Sequence, residues 1–323
     1  MGNRKWRTVI KNKLMKWTII RNPNASSGKG VTFWPRIREI LIDSGIEFED
    51  FRTDYCGHAT ELTRAAISKG SRFIVAMGGD GTVNEVANGI LGQSYCDSKE
   101  ILFTQIPIGT GNDWSRTMMI SKKLNEICNH FKTGKERLQD VGLISWTENN
   151  KEQQRYFVNM AGMGFDAYVG KIANEKKAAG KAGIMGYIST LLSCLFFYKA
   201  QPVSLKYDGV KIADYELFSL SVGICRFSGA GMLQCPNALY DDGLLDLTLI
   251  DKISKMKVLM NIPGLFSGKF VKNKEVHQFR AKNIEISASP KMLLEVDGEV
   301  IGSGSCEITI LPAMLRVLGG LLH

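Results

Sequence analysis

The sequence has few cysteines and histidines, and none of them form a metal-binding pattern. Its 323 residues include seven cysteines, an odd number, and four histidines. No two cysteines have the CxxC spacing, so zinc sites, iron–sulfur clusters and a disulfide framework are disfavoured. Unpaired cysteines are typical of a reducing compartment, and we therefore expect a cytoplasmic protein.

The sequence also lacks a hydrophobic run long enough to cross a bilayer. The longest apolar stretch, 184–198, contains a glycine and two serines and falls short of the roughly 20 residues that a membrane-spanning helix needs. The first 17 residues are charged and have no apolar core, so we expect no signal peptide. We predict that the chain has no transmembrane segment.

Acidic residues are scarce in two segments of a chain whose net charge is +9. Residues 1–17 contain six lysines and arginines and no acid, and 252–282 contain eight against one glutamate. Neither segment has the interleaved aromatics of a nucleic-acid module, so no nucleic-acid partner is expected. The second segment mixes lysines with apolar residues, which suits either solvated surface or an anionic membrane. We predict that 1–14 is a disordered basic tail.

The pattern of elements changes about halfway along the chain. Strands predicted at 17–21, 46–52, 72–77 and 101–106 alternate with helical patterns that run to about Ser44, over 58–69 and over 82–91, which indicates an open parallel sheet. After about Asp140, strands follow one another closely, at 141–146, 153–160, 203–207, 216–225, 244–250, 276–287 and 292–296, with helical insertions near 165–198 and 254–267. We predict an α/β fold of two domains, 15–140, to which about 308–323 returns, and an antiparallel β-rich domain at 141–307.

A glycine-rich turn follows the third predicted strand. GGDGT at 78–82 has three glycines within four residues, and VNE at 83–85 opens a helix. Glycines let the backbone approach a ligand closely, and the N–H groups of a helix N-terminus hold phosphate. Asp80 is placed to hold Mg²⁺ against nucleotide oxygens. A turn that needs glycine for its geometry alone is the plainer alternative.

Two further polar loops follow predicted strands. PIGTGND at 107–113 follows the fourth strand, and the loop 22–30 follows the first. Ligands of open α/β sheets bind at these strand ends, so we expect the loops to converge. The loop 22–30 is not a Walker A motif, because the first glycine of that motif is missing before Gly28. The Rossmann fingerprint is excluded because the glycine loop follows the third strand rather than the first.

Five motifs, in order, resemble those of the diacylglycerol kinase catalytic family. They are NPxxSSGKG, GGDGTxNE, PxGTGND, DDGLLDL at 241–247 and DGE at 297–299. The chain, from about Met15 to its C-terminus, is most similar to the bacterial soluble lipid kinases, which share their fold with sphingosine and ceramide kinases. The resemblance implies an NAD-kinase-like nucleotide domain, a β-sandwich domain that takes the lipid, and the cofactors ATP and Mg²⁺.

The resemblance also implies which residues form the site. Glu299 matches the general base, and Asp80 matches the residue that bridges to the catalytic Mg²⁺. A structural Mg²⁺ site would use the side chain of Asp242 and the carbonyls of Leu239 and Leu244. The nucleotide would contact Asn22, Thr53, Gly78, Gly79, Asp80, Gly81, Thr82, Val83, Asn84, Glu85, Thr110 and Asn112.

These roles agree with what the chemistry requires. Phosphoryl transfer needs positioning and charge neutralisation, and a lipid hydroxyl needs a carboxylate that accepts its proton. An oxygen-only ligand set suits Mg²⁺. Asp-Gly pairs are also common in hairpins, so an ordinary turn is the alternative at Asp242 and Glu299.

We therefore predict an ATP- and Mg²⁺-dependent kinase that phosphorylates diacylglycerol or a related lipid at a membrane surface, as a cytoplasmic protein peripherally associated with the membrane. An NAD kinase and a catalytically inactive lipid-binding protein are the alternatives, and a homodimer is left open. One helical face either packs on a sheet or lines a site for an acyl chain, and it consists of Ile184, Ile188, Leu191, Leu192 and Leu195.

Overall fold

The computed structural model describes residues 15–178 and 184–320, which form two β-sheets with helices packed on them. The predicted tail at 1–14, residues 321–323 and the side chains of Ile184 and Ile188 lie outside this description. The strands are β1 (Trp17–Arg21), β2 (Phe48–Arg52), β3 (Phe73–Gly78), β4 (Leu102–Pro107), β5 (Lys135–Glu148), β6 (Lys151–Phe157), β7 (Met160–Gly164), β8 (Gln201–Tyr207), β9 (Val210–Leu217), β10 (Ser219–Gly223), β11 (Leu245–Ile250), β12 (Val276–Ala281), β13 (Asn283–Ala288), β14 (Leu293–Val296), β15 (Glu299–Ser303) and β16 (Cys306–Gly319). The helices are α1 (Ala25–Asp43), α2 (His58–Ser68), α3 (Asp80–Leu91), α4 (Asp113–Thr117), α5 (Ile127–Thr133), α6 (Phe165–Ala178), α7 (Ile184–Phe197) and α8 (Lys255–Ser267).

The first four strands form the parallel sheet that the sequence predicts, in the order β2-β1-β3-β4. Side chains of β3 alternate between its two faces. Ile74 and Ala76 pack with α2 and α3, whereas Val75 and Met77 pack with α1. Because helices cover both faces, β3 is apolar at every position from Phe73 to Met77, as a central parallel strand should be.

Three stretches that the sequence presents as continuous strand are pairs of strands in different sheets. The stretch 153–160 contains the end of β6 and the first residue of β7, 216–225 contains the end of β9 and all of β10, and 276–287 contains β12 and most of β13. At the first break, the N–H groups of Val158 and Met160 donate to the carboxylate of Asp297, at 3.1 and 2.8 Å. A distant side chain therefore takes the hydrogen bonds that a continuous strand would make, and the chain changes sheet there.

β16 joins the parallel and antiparallel parts of the first sheet. It pairs in parallel with β4 through Arg316 and Val317, and antiparallel with β5 along most of its length. The predicted domain boundary between 140 and 141 lies inside β5, so the chain passes from one part to the other along a single strand. The division into domains stays a prediction.

The second sheet is antiparallel, in the order β12-β11-β10-β7-β14-β15, which confirms the predicted second architecture. Phe165 and Val169 of α6 and Leu195 of α7 pack with Phe218, which precedes β10, and side chains of α8 border this cluster. In 15–178 and 184–320, no helix has both the length and the apolar character that a membrane crossing requires. All seven cysteines are free thiols.

Candidate active site

The carboxyl ends of the parallel strands bring the predicted nucleotide-binding segments to one edge of the first sheet. Asn22 follows β1, and its Nδ2 donates to Oγ1 of Thr82, just after β3, at 3.2 Å. Thr53 follows β2, and its N–H donates to the carbonyl of Arg21 at 3.0 Å. The loops do lie together, and their contact with a nucleotide stays a prediction.

The glycine loops after β3 and β4 touch through their backbones. A Cβ added to Gly109 would overlap the Cα of Gly79, so neither loop tolerates a side chain at this contact. Asn112, with a φ of 52°, closes the second loop by accepting from the Gly109 N–H at 3.0 Å. Because Gly79 has no side chain to cap α3, the first N–H groups of that helix are available to an anion.

Asp80 of α3 and Asp113 of α4 place two carboxylates side by side. A Cβ added to Gly111 would lie 3.0 Å from Asp80 Oδ2 and 3.3 Å from Asp113 Oδ2. Burial raises the pKa of the Asp80 carboxyl. Burial and then the charge of Asp80 raise the pKa of Asp113 to about 6. Two carboxylates held this close repel one another, and a cation between them would relieve the repulsion.

The donor set of this carboxylate pair fits Mg²⁺. Asp80 Oδ1 accepts from the Trp114 N–H at 3.1 Å, and Asp113 Oδ2 accepts from the Ala230 N–H at 2.8 Å. Asp113 Oδ1 is buried, has no hydrogen-bond partner, and lies 3.8 Å from Nε of Arg116. A buried carboxylate oxygen that accepts no hydrogen bond, beside a second carboxylate, is a suitable ligand for a hard divalent cation.

The DGE motif is a two-residue hairpin turn between β14 and β15. Asp297 and Gly298 have φ values of 48° and 86°, the positive angles that this tight turn requires. Asp297 is buried, and besides the N–H groups at the start of β7 it accepts from Asn84 Nδ2 at 2.8 Å. The backbone at this motif is therefore an ordinary hairpin turn, as the plainer alternative from the sequence holds. The side chain of Asp297 has a further role, because it bonds to Asn84 and to the start of β7.

Glu299 extends from this turn over the glycine loop between β3 and α3. Its Oε1 lies 3.0 Å from where a Cβ on Gly81 would be, and its side chain is 33% exposed. Arg155 of β6 donates to Glu299 Oε2 at 3.1 Å and to Asn84 Oδ1 at 2.9 Å. The general-base candidate is thus held next to the predicted phosphate loop by an arginine that is itself fixed to α3.

Three side chains of the predicted phosphate loop are already engaged within the protein. Val83 is fully buried in the core, and Asn84 is fully buried between Arg155 and Asp297. Glu85 accepts from the Gly57 N–H at 2.9 Å and the Ala59 N–H at 3.0 Å, so its carboxylate caps α2. The nucleotide contacts expected at these positions stay predictions, while the structure gives their side chains packing and capping roles.

The DDGLLDL turn holds Asp242 near the surface. Its carboxylate accepts from the Leu244 N–H at 3.2 Å and forms an ion pair with Arg280. Arg280 also pairs with Asp246 at 3.2 Å, and Leu239 is 55% exposed. The structural Mg²⁺ site stays a prediction, in which the guanidinium of Arg280 would compete with the metal for Asp242.

A mostly apolar cavity lies between the second sheet and the helices α6, α7 and α8. Its lining includes Phe165, Leu191 and Phe218, together with the inward face of α8. Asp166 lies in the same wall, accepts from the Ser219 hydroxyl at 2.7 Å, and has its pKa raised by burial. Of the predicted apolar helical face, Leu191 thus lines a cavity and Leu195 is buried against α6.

Two family models match the chain. The diacylglycerol kinase catalytic domain matches residues 16–144, and the YegS C-terminal NAD kinase beta sandwich-like domain matches 159–319. Between them they include both glycine loops, the DDGLLDL turn and the turn that carries Glu299. The fold and the site therefore define a kinase, a phosphotransferase with an alcohol group as acceptor. The chain belongs to the diacylglycerol kinase catalytic-domain family.

Individual relatives agree with this assignment. A diacylglycerol kinase of Mycobacterium tuberculosis is 28% identical over 316 residues, 95% of this chain and 96% of the relative. The crystal structure of a diacylglycerol kinase from Bacillus anthracis str. Sterne covers 96% of this chain and 98% of its own, with a TM-score of 0.69 and 22% identity. An NAD kinase from Archaeoglobus fulgidus, solved in complex with ATP, covers 95% and 94%, with a TM-score of 0.53 and 14% identity. The two structures show that the fold is shared.

Arg155 and Asp113 are not among the site residues predicted from the sequence, and neither are the four hydrogen bonds of Asp297. Asp113 ends the PIGTGND loop after the fourth predicted strand, and Asp80 follows the third. This position at the end of a neighbouring strand is the feature of the sequence that could have predicted Asp113 as a site residue. Arg155 is a single arginine in a predicted strand, with no local pattern around it. Only the packing of β6 beside α3 and the β14–β15 turn brings it to Glu299.

Proposed function

We propose that this protein is an ATP- and Mg²⁺-dependent lipid kinase that transfers the γ-phosphoryl group of ATP to the hydroxyl of diacylglycerol or a related lipid. The position of Glu299 over Gly81 of the glycine loop carries this proposal. A carboxylate beside a phosphate-binding loop is placed to accept the proton of an acceptor hydroxyl as the phosphoryl group arrives.

Each of the other groups has a part in this reaction. Asp80 and Asp113 would hold Mg²⁺, which neutralises charge on the phosphate oxygens when it is bound. The N–H groups at the start of α3 orient the phosphates. Arg155 keeps the Glu299 carboxylate directed at the loop. Asp242, with the carbonyls of Leu239 and Leu244, is proposed as a second, structural Mg²⁺ site.

The apolar cavity favours a lipid over NAD as the acceptor. The apolar surface of the cavity, which includes Leu191, Phe165 and Phe218, suits a hydrocarbon chain, and a dinucleotide has no such chain. The likeness to the NAD kinase is a likeness of fold at 14% identity. Asp80 and Glu299 are both present and face the same loop, which argues against an inactive lipid-binding protein.

The proposed function also includes a cellular location for the enzyme and a separate ligand for each of its two predicted domains. We place the enzyme in the cytoplasm, peripherally associated with the membrane that contains its substrate. Residues 15–140, with the chain from about 308 onward, would bind the nucleotide, and 141–307 would bind the lipid. The pairing of β16 with β4 supports the return of the chain end to the first unit.

A phosphorylation assay with a panel of acceptors tests this proposal. Purified protein is incubated with labelled ATP, Mg²⁺ and, separately, dispersed diacylglycerol, phosphatidylglycerol, ceramide, a sphingoid base and NAD. We expect label in at least one lipid and none in NAD. Asp80→Asn should lose this activity, whereas the matched variant Asp43→Asn, at an exposed position on α1, should keep it. Label in NAD alone would favour an NAD kinase, and no label in any acceptor would favour an inactive protein.

A further inference from the structure

Helix α8 is apolar in sequence and yet has no buried residue. Met256 and Met260 lie one turn apart on its outer side and are 65% and 68% exposed. The opposite side of the helix faces the cavity through Val258, Ile262 and Leu265. The helix is therefore apolar on both sides, and only one side has a partner within the protein.

The end of α7 extends this exposed apolar surface. Phe196 and Phe197 are 59% and 80% exposed. Lys255, the first residue of α8, donates a hydrogen bond to the Phe196 carbonyl, and its ammonium lies 6.0 Å from the centre of the Phe196 ring. The end of α7 thus adjoins the start of α8. We call Phe196, Phe197, Met256 and Met260 together the α7–α8 face. Neighbouring exposed apolar side chains of this size mark a contact surface.

The charge around the α7–α8 face is mostly positive. Residues 252–274 contain six lysines and no acid. Lys255, Lys269, Lys272 and Lys274 are exposed, while Lys252 pairs with Glu216 at 3.8 Å and Lys257 pairs with Glu275 at 2.5 Å. Phenylalanine and methionine side chains among lysines match an anionic bilayer, whose interface accepts the apolar groups and whose headgroups attract the ammonium groups.

We propose that the α7–α8 face is the surface by which this protein docks on an anionic membrane. The four apolar side chains enter the interface, and the lysines of 252–274 contact the acidic headgroups. The physiological purpose of this docking rests on the proposed lipid kinase function, while the docking itself rests on the exposed residues and their charge. Docked in this way, α8 lies between the bilayer and the cavity that its inner side lines.

Vesicle flotation with paired variants tests the apolar half of the proposal. The full chain is mixed with vesicles of phosphatidylcholine alone or of equal parts phosphatidylcholine and phosphatidylglycerol. We expect binding to the anionic vesicles only, and binding weakened roughly tenfold or more in Met256→Gln/Met260→Gln, since two apolar side chains no longer enter the interface. The matched control Val31→Gln/Tyr95→Gln removes two side chains of similar exposure, 59% and 62%, from the first part of the chain, and should bind as the unaltered protein does.

A second pair of variants tests the charge. Lys269→Gln/Lys272→Gln should weaken binding to anionic vesicles by roughly fivefold per lysine, about 1 kcal/mol each, and reduce its salt dependence. Lys16→Gln/Lys123→Gln removes two lysines that are 56% and 74% exposed elsewhere, and should have little effect. Thermal melts confirm that each variant folds.

Several outcomes would overturn the proposal. Equal vesicle binding by Met256→Gln/Met260→Gln and the unaltered chain is one, and binding that ignores phosphatidylglycerol is another. If light scattering shows a dimer that these two substitutions dissociate, the face is a contact between copies of the chain. All variants should phosphorylate a short-chain, water-soluble diacylglycerol at the unaltered rate. If the unaltered chain does not phosphorylate it, the proposed function fails, while the flotation result still decides the docking surface.

Discussion

Two acidic turns in the second half of the chain look alike in sequence and differ in the folded protein. DDG at 241–243 and DG at 297–298 both read as Asp-Gly turns before a strand. In the structure, Asp297 is buried and accepts four hydrogen bonds, three from backbone N–H groups and one from Asn84. Asp242 lies near the surface, where it pairs with Arg280.

The two turns differ in which segments of the protein their aspartate carboxylates connect. Asp297 fixes the start of β7 and the side chain of Asn84 on α3, so it ties the second sheet to the glycine loop. Burial raises the pKa of the Asp297 carboxyl, and its four donors oppose that rise by favouring the charged form. Asp242 joins its own loop to one neighbouring strand. The same local turn is therefore part of the framework around the candidate active site in one place and a surface feature in the other.

The largest effect that would sharpen this comparison is expected at Glu299, the residue that the Asp297 turn presents. Glu299→Gln should lower the phosphorylation rate by roughly 10²–10⁴-fold, because the amide keeps the shape but cannot take the proton. Nucleotide affinity should change little. Steady-state kinetics with a short-chain lipid and a nucleotide-binding measurement check both parts. Glu307→Gln, at an exposed site on β16, is the control. Near-normal turnover in Glu299→Gln would remove this residue from the mechanism.

Stability should separate the two turns next. Asp297→Asn should lower the free energy of unfolding by about 3 kcal/mol, because the amide nitrogen would face backbone N–H donors in a buried site. Asp242→Asn should lower it by less than about 1 kcal/mol without added Mg²⁺, since it weakens one partly exposed ion pair. Denaturant unfolding of the two variants measures both values. Equal losses in the free energy of unfolding would show that the two turns contribute equally to stability, against this prediction.

Arg155 tests how the buried turn acts on the site. Arg155→Gln should shift the acid side of the rate–pH profile to higher pH, because losing a nearby positive charge makes a carboxylate easier to protonate. Arg155→Lys keeps the charge and should leave that limb near its original position, with a lower rate from poorer positioning. Rate–pH profiles of the three proteins provide the measurement. A uniform loss of rate in both variants, with no shift in pH, would make the arginine purely structural.

The smallest effect concerns the proposed structural metal at the other turn. If Asp242 holds Mg²⁺, the melting temperature of the unaltered protein should rise with Mg²⁺, because a ligand stabilises the state that binds it. Most of that rise should be absent in Asp242→Ala. The comparison is made in the absence of nucleotide. If the Asp242→Ala variant keeps the full rise in melting temperature with Mg²⁺, Asp242 does not hold the metal.

Much of the fold could be predicted from local patterns. The apolar runs predicted the parallel strands, because a strand buried on both faces must be apolar throughout. The polar loops that follow those runs predicted which strand ends carry the candidate site. The break between β6 and β7 could not be predicted this way. It depends on Asp297, which is distant in sequence and removes the N–H groups of Val158 and Met160 from the strand ladder.

The sequence by itself determined the chemistry that this protein can carry: glycine loops at strand ends, a carboxylate in each of the two acidic turns, and a basic, apolar segment at 252–282. These are properties of residue type and short spacing, and they persist whatever the chain packs against. The tertiary structure alone decided that Asp113 lies beside Asp80, that Arg155 holds Glu299 over Gly81, and that α8 has one side free. Each of these is a contact between segments distant in the chain, and only the pairing of strands and the packing of helices bring such segments together.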